Sequence, residues 1–146
     1  MNRILQFTIS YFGLVPYTYL LADLYLFRSI EPNIILNIMI FNTIIIYTFI
    51  GAIHWQWQHK KSTVLYTIHS FIPSLVSFII TIITLLEFTK EYIFIYLAIF
   101  LIIQFLLDFR CYKDDKIDYK VIYYLRMPIT SLLCIILMIP VLFDYS

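Results

Sequence analysis

Phe49-Ile50-Gly51-Ala52-Ile53-His54-Trp55-Gln56-Trp57-Gln58-His59-Lys60-Lys61 changes character within a few residues. An apolar run reaches a Gly-Ala pair, then gives way to histidine, tryptophan, glutamine and lysine. Helices leave hydrocarbon and cross a headgroup layer in this order. Small residues allow close helix contact, amphipathic rings sit at the interface, and lysines reach water. Gly51 and Ala52 are therefore candidate packing positions, and His54 and Trp55 candidate interfacial ones.

Composition places the rest of the chain in the same solvent. Of 146 residues, 62% are apolar and only 13% charged, and mean hydropathy is +0.89. A soluble domain carries roughly 45–50% apolar and about 25% charged residues. A water-soluble fold of this size has too little interior to hide the excess, so lipid is the solvent for most of it. A net charge of +1, with no basic face to neutralise phosphates, argues against nucleic acid as a partner. Cys111 and Cys134 have no metal-ligand partner at motif spacing and read as two unpaired thiols. Arg3 is the only early basic residue and no small-x-small site follows, so a retained first helix is expected, not a cleaved signal.

Five apolar stretches follow one another, at about 4–27, 33–53, 63–86, 92–108 and 127–143, the first comfortably long enough to cross roughly 30 Å of hydrocarbon. The expected fold is all-α, a polytopic bundle of five transmembrane helices in one domain. Pro16 should kink the first span, and Gly13 beside it permits a close crossing. Asn37 and Asn42 in the second require partners on other helices. In the third, Ser70, Ser74 and Ser77 at i, i+4, i+7 suggest a hydroxyl-bearing packing seam beside Pro73. The segment 109–126 mixes charge and aromatic rings without strong periodicity and is expected to be a polar interfacial loop, with room for one turn of helix lying flat.

Basic residues give the bundle a direction. With five spans, Arg3, Lys60, Lys61, Arg110, Lys113, Lys116, Lys120 and Arg126 fall on one side, and only Arg28 and Lys90 on the other. This asymmetry predicts the N-terminus inside and the C-terminus outside. His54, Trp55, Asp108 and Arg126 then share one inner depth. There they form either a clamp of helix ends, with Asp108 and Arg126 as a charge-assisted pair, or a binding site for a cofactor, lipid headgroup or partner.

Cofactor readings are weaker. His54 and His69 are the haem-ligand candidates, but His69 lies roughly 9 Å deeper than the end of the second helix, an awkward offset for two imidazoles on one iron. Quinone needs only a tyrosine or histidine donor in an apolar groove, and thirteen tyrosines make that signal unspecific. No catalytic or nucleotide-binding fingerprint is present. The expectation is no catalytic residue, no metal, and phospholipid as the usual ligand.

Several elements resemble a family of five-span inner-membrane proteins of unknown function that includes transmembrane protein 69 of animal mitochondria. Tyr11-Phe12-Gly13-Leu14-Val15-Pro16-Tyr17 resembles its glycine-proline element, and Gly51-Ala52-Ile53-His54-Trp55-Gln56 its Gly-Gly-Ile-His-Trp-Gly run. Phe71-Ile72-Pro73-Ser74-Leu75, Asp108 and Tyr123-Tyr124-Leu125-Arg126-Met127-Pro128-Ile129-Thr130 match its later elements in order. Ala52 and Gln56 depart from glycines of that pattern. The resemblance implies an inner-membrane location and a joint role for His54, Asp108 and Arg126, without an activity. A skew towards Ile, Asn, Lys, Tyr and Phe suggests an AT-rich genome, so a mitochondrial, organelle-encoded protein is favoured, with a bacterial inner membrane as the alternative. The expected function is a non-catalytic subunit of a larger, respiratory-chain complex, partnered by its other membrane subunits and lipids. An assembly factor, or a quinone- or haem-associated anchor of a redox enzyme, is the competing expectation.

Overall fold

The computed structural model describes residues 8, 10–52, 64–113 and 119–143. Among these residues the chain is all-α, with five principal helices. Helix α1 spans Val15–Ala22 and runs on as a π-turn over Asp23–Phe27. Helices α2, α3 and α4 span Pro32–Ala52, Val64–Leu85 and Lys90–Lys113. A short helical piece, Tyr119–Val121, passes through a π-turn over Ile122–Arg126 into α5, Met127–Leu142. Among the described residues three apolar helical stretches are long enough to cross a membrane, Pro32–Ile50, Lys90–Arg110 and Tyr119–Leu142, while Phe71–Leu85 in α3 is a shorter apolar stretch.

Proline chemistry shapes the first span differently from a kink. The helical turn ending at Phe12 stops, Gly13 and Leu14 form a turn, and α1 restarts with Pro16 in its first turn. Proline has no N–H to donate and crowds the carbonyl four residues back, so a chain break beside Gly13 relieves both problems. A Cβ on Gly13 would sit 3.2 Å from the Ser10 carbonyl oxygen, so the turn leaves little room there.

The helices pack as two pairs, α2 with α3 and α4 with α5, and α2 also meets α4 and α1. Tyr17, Leu36, Met39, Phe94, Leu97 and Leu133 are among the side chains closed in the middle. Outward faces stay apolar: Phe71, Phe78, Leu85, Tyr96 and Ile135 are all exposed. Such surface is stable only under lipid or a partner.

Because lipid tails are as apolar as leucine, helix association depends on packing and on hydrogen bonds between helices. Tyr17 joins α1 to α2 by a 2.8 Å hydrogen bond to Thr43 Oγ1, which itself donates to the Met39 carbonyl. Thr48 and Ser77 join α2 to α3 at 2.9 Å. The two turns at the far end close on left-handed residues, Arg28 at φ 51° and Glu87 at φ 57°. Asp23 is buried and turns its carboxylate back onto the first of these turns, accepting from the Ser29 hydroxyl and the Ile30 amide.

The expected seam on the third helix needs correction. Its buried stripe is Pro73, Ser77, Ile80 and Thr84, whereas Ser74 is exposed. Each residue advances about 100° around a helix, which carries Ser74 away from the face that Pro73 and Ser77 share. The side chain of Ser70 lies outside the described set. The expected loop over 109–126 is also largely helical: α4 continues to Lys113, and helix resumes at Tyr119. At the edge of a lipid phase the backbone gains most by hydrogen-bonding to itself, whatever the charge pattern outside.

Candidate functional site

The buried stripe of α4 runs Phe94, Leu97, Leu101, Gln104, Asp108, at spacings of three and four that keep one face inward. Its first three members are apolar and its last two are polar. Opposite it, α5 and its lead-in bury Ile122, Arg126 and Thr130, spaced four and four. That wider spacing stays in register because the π-turn over Ile122–Arg126 takes more residues per turn, with the Met127 amide bonding back to the Ile122 carbonyl. The turn thereby aims Arg126 inward.

Arg126 Nε lies 3.3 Å from Asp108 Oδ2. The other carboxylate oxygen, Oδ1, accepts from Gln104 Nε2 at 3.2 Å. Arg126 Nη2 donates to the carbonyl of Ile50 at 3.4 Å, in the last described turns of α2. Asp108 is 1% exposed, Gln104 2% and Arg126 8%, and Tyr47, one turn before Ile50, is buried as well. One guanidinium on α5 thus bridges α4 and α2. The carbonyl dipoles towards the C-terminal part of α2 favour a cation at that position.

Proline also explains a tie to the N-terminal segment. Pro128 has no N–H for the carbonyl four residues before it, that of Tyr124. Tyr11 supplies the missing donor, its hydroxyl reaching the Tyr124 oxygen at 2.8 Å. At the opposite end of the bundle Tyr25 donates to the Phe143 carbonyl at 3.1 Å, and Lys90 Nζ donates to the carbonyl and side chain of Asn33, each at 3.1 Å.

Of the expected inner cluster, Asp108 and Arg126 therefore meet, whereas His54 and Trp55 lie outside the described residues. The imidazole of His69 and the packing around Gly51 and Ala52 lie outside them too. Gly13, Pro16, Pro73 and Ser77 occupy turn, helix-start and interface positions, away from the ion pair. Gln104 and Tyr11 were not singled out beforehand. Each had a signal: Gln104 is one turn before Asp108, and Pro128 orphans a carbonyl that must find a donor.

Chemically, one Asp108 oxygen is engaged by Arg126 and the other by Gln104 of its own helix, while the Arg126 guanidinium reaches both α4 and α2. The arrangement holds helices at fixed distances. Among the described residues no group of three His, Cys, Asp or Glu side chains is placed to hold a metal ion.

Fold and composition define a helical, polytopic membrane protein. No family model matches the chain, and no curated protein or solved structure shows significant similarity to it. The resemblance to the five-span family therefore stands on its sequence elements alone.

Proposed function

We propose that this protein is a non-catalytic integral subunit of a larger inner-membrane complex, working by helix packing and by contact with lipid and partner subunits. The observation that carries this reading is the direction of its buried charge. Asp108 and Arg126 are spent on each other, on Gln104 and on the Ile50 carbonyl, while the outward faces are apolar. Intramembrane charge is a functional-site signal by default. Here the partners are structural groups on three helices, which favours a clamp over a reaction centre.

Five spans are read from the apolar stretches of the sequence, and, given five, the basic-residue asymmetry supports the N-terminus inside. A mitochondrial, respiratory-chain setting and membership of the transmembrane protein 69 family rest on the compositional skew and on the sequence elements. The test is extraction in a mild detergent followed by native electrophoresis and sedimentation of the tagged full chain. A subunit co-migrates at constant stoichiometry with one set of membrane proteins of a mature complex. Recovery as a lone protein in detergent overturns the reading, and presence in immature subcomplexes alone would make it an assembly factor.

A further inference from the structure

At the end of the bundle that holds the ion pair, five aromatic rings make a continuous ribbon over two helices. Phe105 and Phe109 of α4 lie 6.3 Å apart, and Phe109 meets Tyr123 edge-on at 6.5 Å. Tyr123 packs on Tyr119 at 4.7 Å, and Tyr119 reaches Tyr124 at 6.2 Å. The three tyrosines are exposed. Rings with an apolar body and a hydroxyl tip are suited to the boundary between hydrocarbon and water.

Cations rim this ribbon. Lys113 Nζ stands 5.2 Å above the centre of the Phe109 ring, and Arg110, Lys113 and Lys120 are all exposed. The segment 109–126 contains five basic residues against three acidic ones, Asp114, Asp115 and Asp118. The far end offers Arg28 and Lys90, and Lys90 is directed at Asn33. Arg126 is buried on Asp108, but among the described residues the exposed cations are still concentrated at this end, as Arg110, Lys113 and Lys120 against Arg28.

We infer that this end binds an anionic phospholipid layer, with the tyrosine rings at the depth of the glycerol groups and Arg110, Lys113 and Lys120 on the phosphates. Long cationic side chains reach the headgroups while their stems cover apolar surface. A cation beside an anionic membrane surface corresponds to about a fivefold preference over a neutral group, weakened by salt. The inference requires only that the chain be an integral membrane protein, so it stands or falls separately from the subunit reading.

The test uses the purified full chain in bilayer discs of equal phosphatidylcholine and phosphatidylglycerol. Lipids retained after partial detergent extraction are counted by native mass spectrometry. Wild type should retain phosphatidylglycerol over phosphatidylcholine by about fivefold or more. The triple variant Arg110→Gln, Lys113→Gln, Lys120→Gln should retain both equally. Phe109→Leu, which keeps apolar bulk but removes the ring beneath Lys113, should lose part of the preference.

Equal retention by wild type, or an unchanged preference in a helical triple variant, overturns the inference. If the triple variant loses helicity by circular dichroism, the wild type decides: high salt must erase its preference, and persistence overturns the idea. Displacement of phosphatidylglycerol by inorganic phosphate would assign the site to a free anion and overturn it as well.

Discussion

Removing one partner of the Asp108–Arg126 pair should destabilise the fold unequally, depending on which charge is left behind. At 3.3 Å and an effective dielectric near 20, the Coulomb attraction is about 5 kcal/mol. Breaking a buried pair by truncating one side typically costs about 3–5 kcal/mol, because the remaining charge is uncompensated. Arg126→Met leaves a short carboxylate on α4, held by Gln104 and unable to reach water, so the full cost of about 3–5 kcal/mol is expected. Asp108→Leu leaves a long guanidinium that can bend towards the headgroups, and the cost should fall to about 2–3 kcal/mol.

The double variant Asp108→Leu, Arg126→Met removes both charges but strands the Gln104 amide, a loss of about 1–2 kcal/mol. Adding Gln104→Leu should bring stability back to within about 1 kcal/mol of wild type. The assay is reversible unfolding in mixed micelles followed by far-ultraviolet circular dichroism, with wild type, the two single variants and the double variant forming a thermodynamic cycle. Single costs below about 1 kcal/mol would mean that the charges face water, as exposed pairs do. A double cost equal to the sum of the singles would mean that the two residues do not interact. Either result refutes the clamp.

Tyr11→Phe should cost about 1 kcal/mol by stranding the Tyr124 carbonyl, and that cost should vanish in a Pro128→Ala background, where the new backbone N–H replaces the hydroxyl; the same unfolding assay measures both. Glu87 occupies a left-handed turn position at φ 57°, so Glu87→Gly should be neutral or slightly stabilising and Glu87→Ile should cost about 1–2 kcal/mol, read as a shift in the unfolding midpoint. Ser77→Ala should weaken the α2–α3 contact by about 0.6 kcal/mol while Ser74→Ala changes nothing measurable, and equal effects would contradict the assigned face of α3.

The long apolar runs were readable because hydrocarbon leaves the backbone one inexpensive option over that length, as α2 over Pro32–Ala52 illustrates. Asp108 and Arg126 were placed at one depth by counting spans, and opposite charges at one depth in a thin polar layer have few other partners. Finer features resisted for physical reasons. The break at Gly13–Leu14 depends on how Pro16 is accommodated, and a kink is an equally lawful response. The helical course of 119–126 rests on backbone hydrogen bonds that leave no trace in an alternating pattern of charge and rings. Ser74 was misplaced because three serines were used to draw a face that Pro73, Ile80 and Thr84 define as well.

The two helix pairs explain where the polar ties occur. Between α2–α3 and α4–α5 the contact is that of α2 and, to a lesser extent, α3 on α4, and lipid supplies no hydrophobic force to close it. At one end Lys90 on α4 grips Asn33 on α2. At the other, Arg126 reaches from α5 to Asp108 on α4 and to the Ile50 carbonyl on α2. These links differ in what separation exposes. Pulling Lys90 from Asn33 releases an exposed ammonium to water, whereas pulling Arg126 from Asp108 leaves a buried carboxylate on α4 without its counter-ion. At the Lys90 end the short turn from Leu85 to Lys90 already ties α3 to α4 covalently, so the buried pair at Asp108 is needed at the opposite end, where no such short connection joins the two pairs among the described residues.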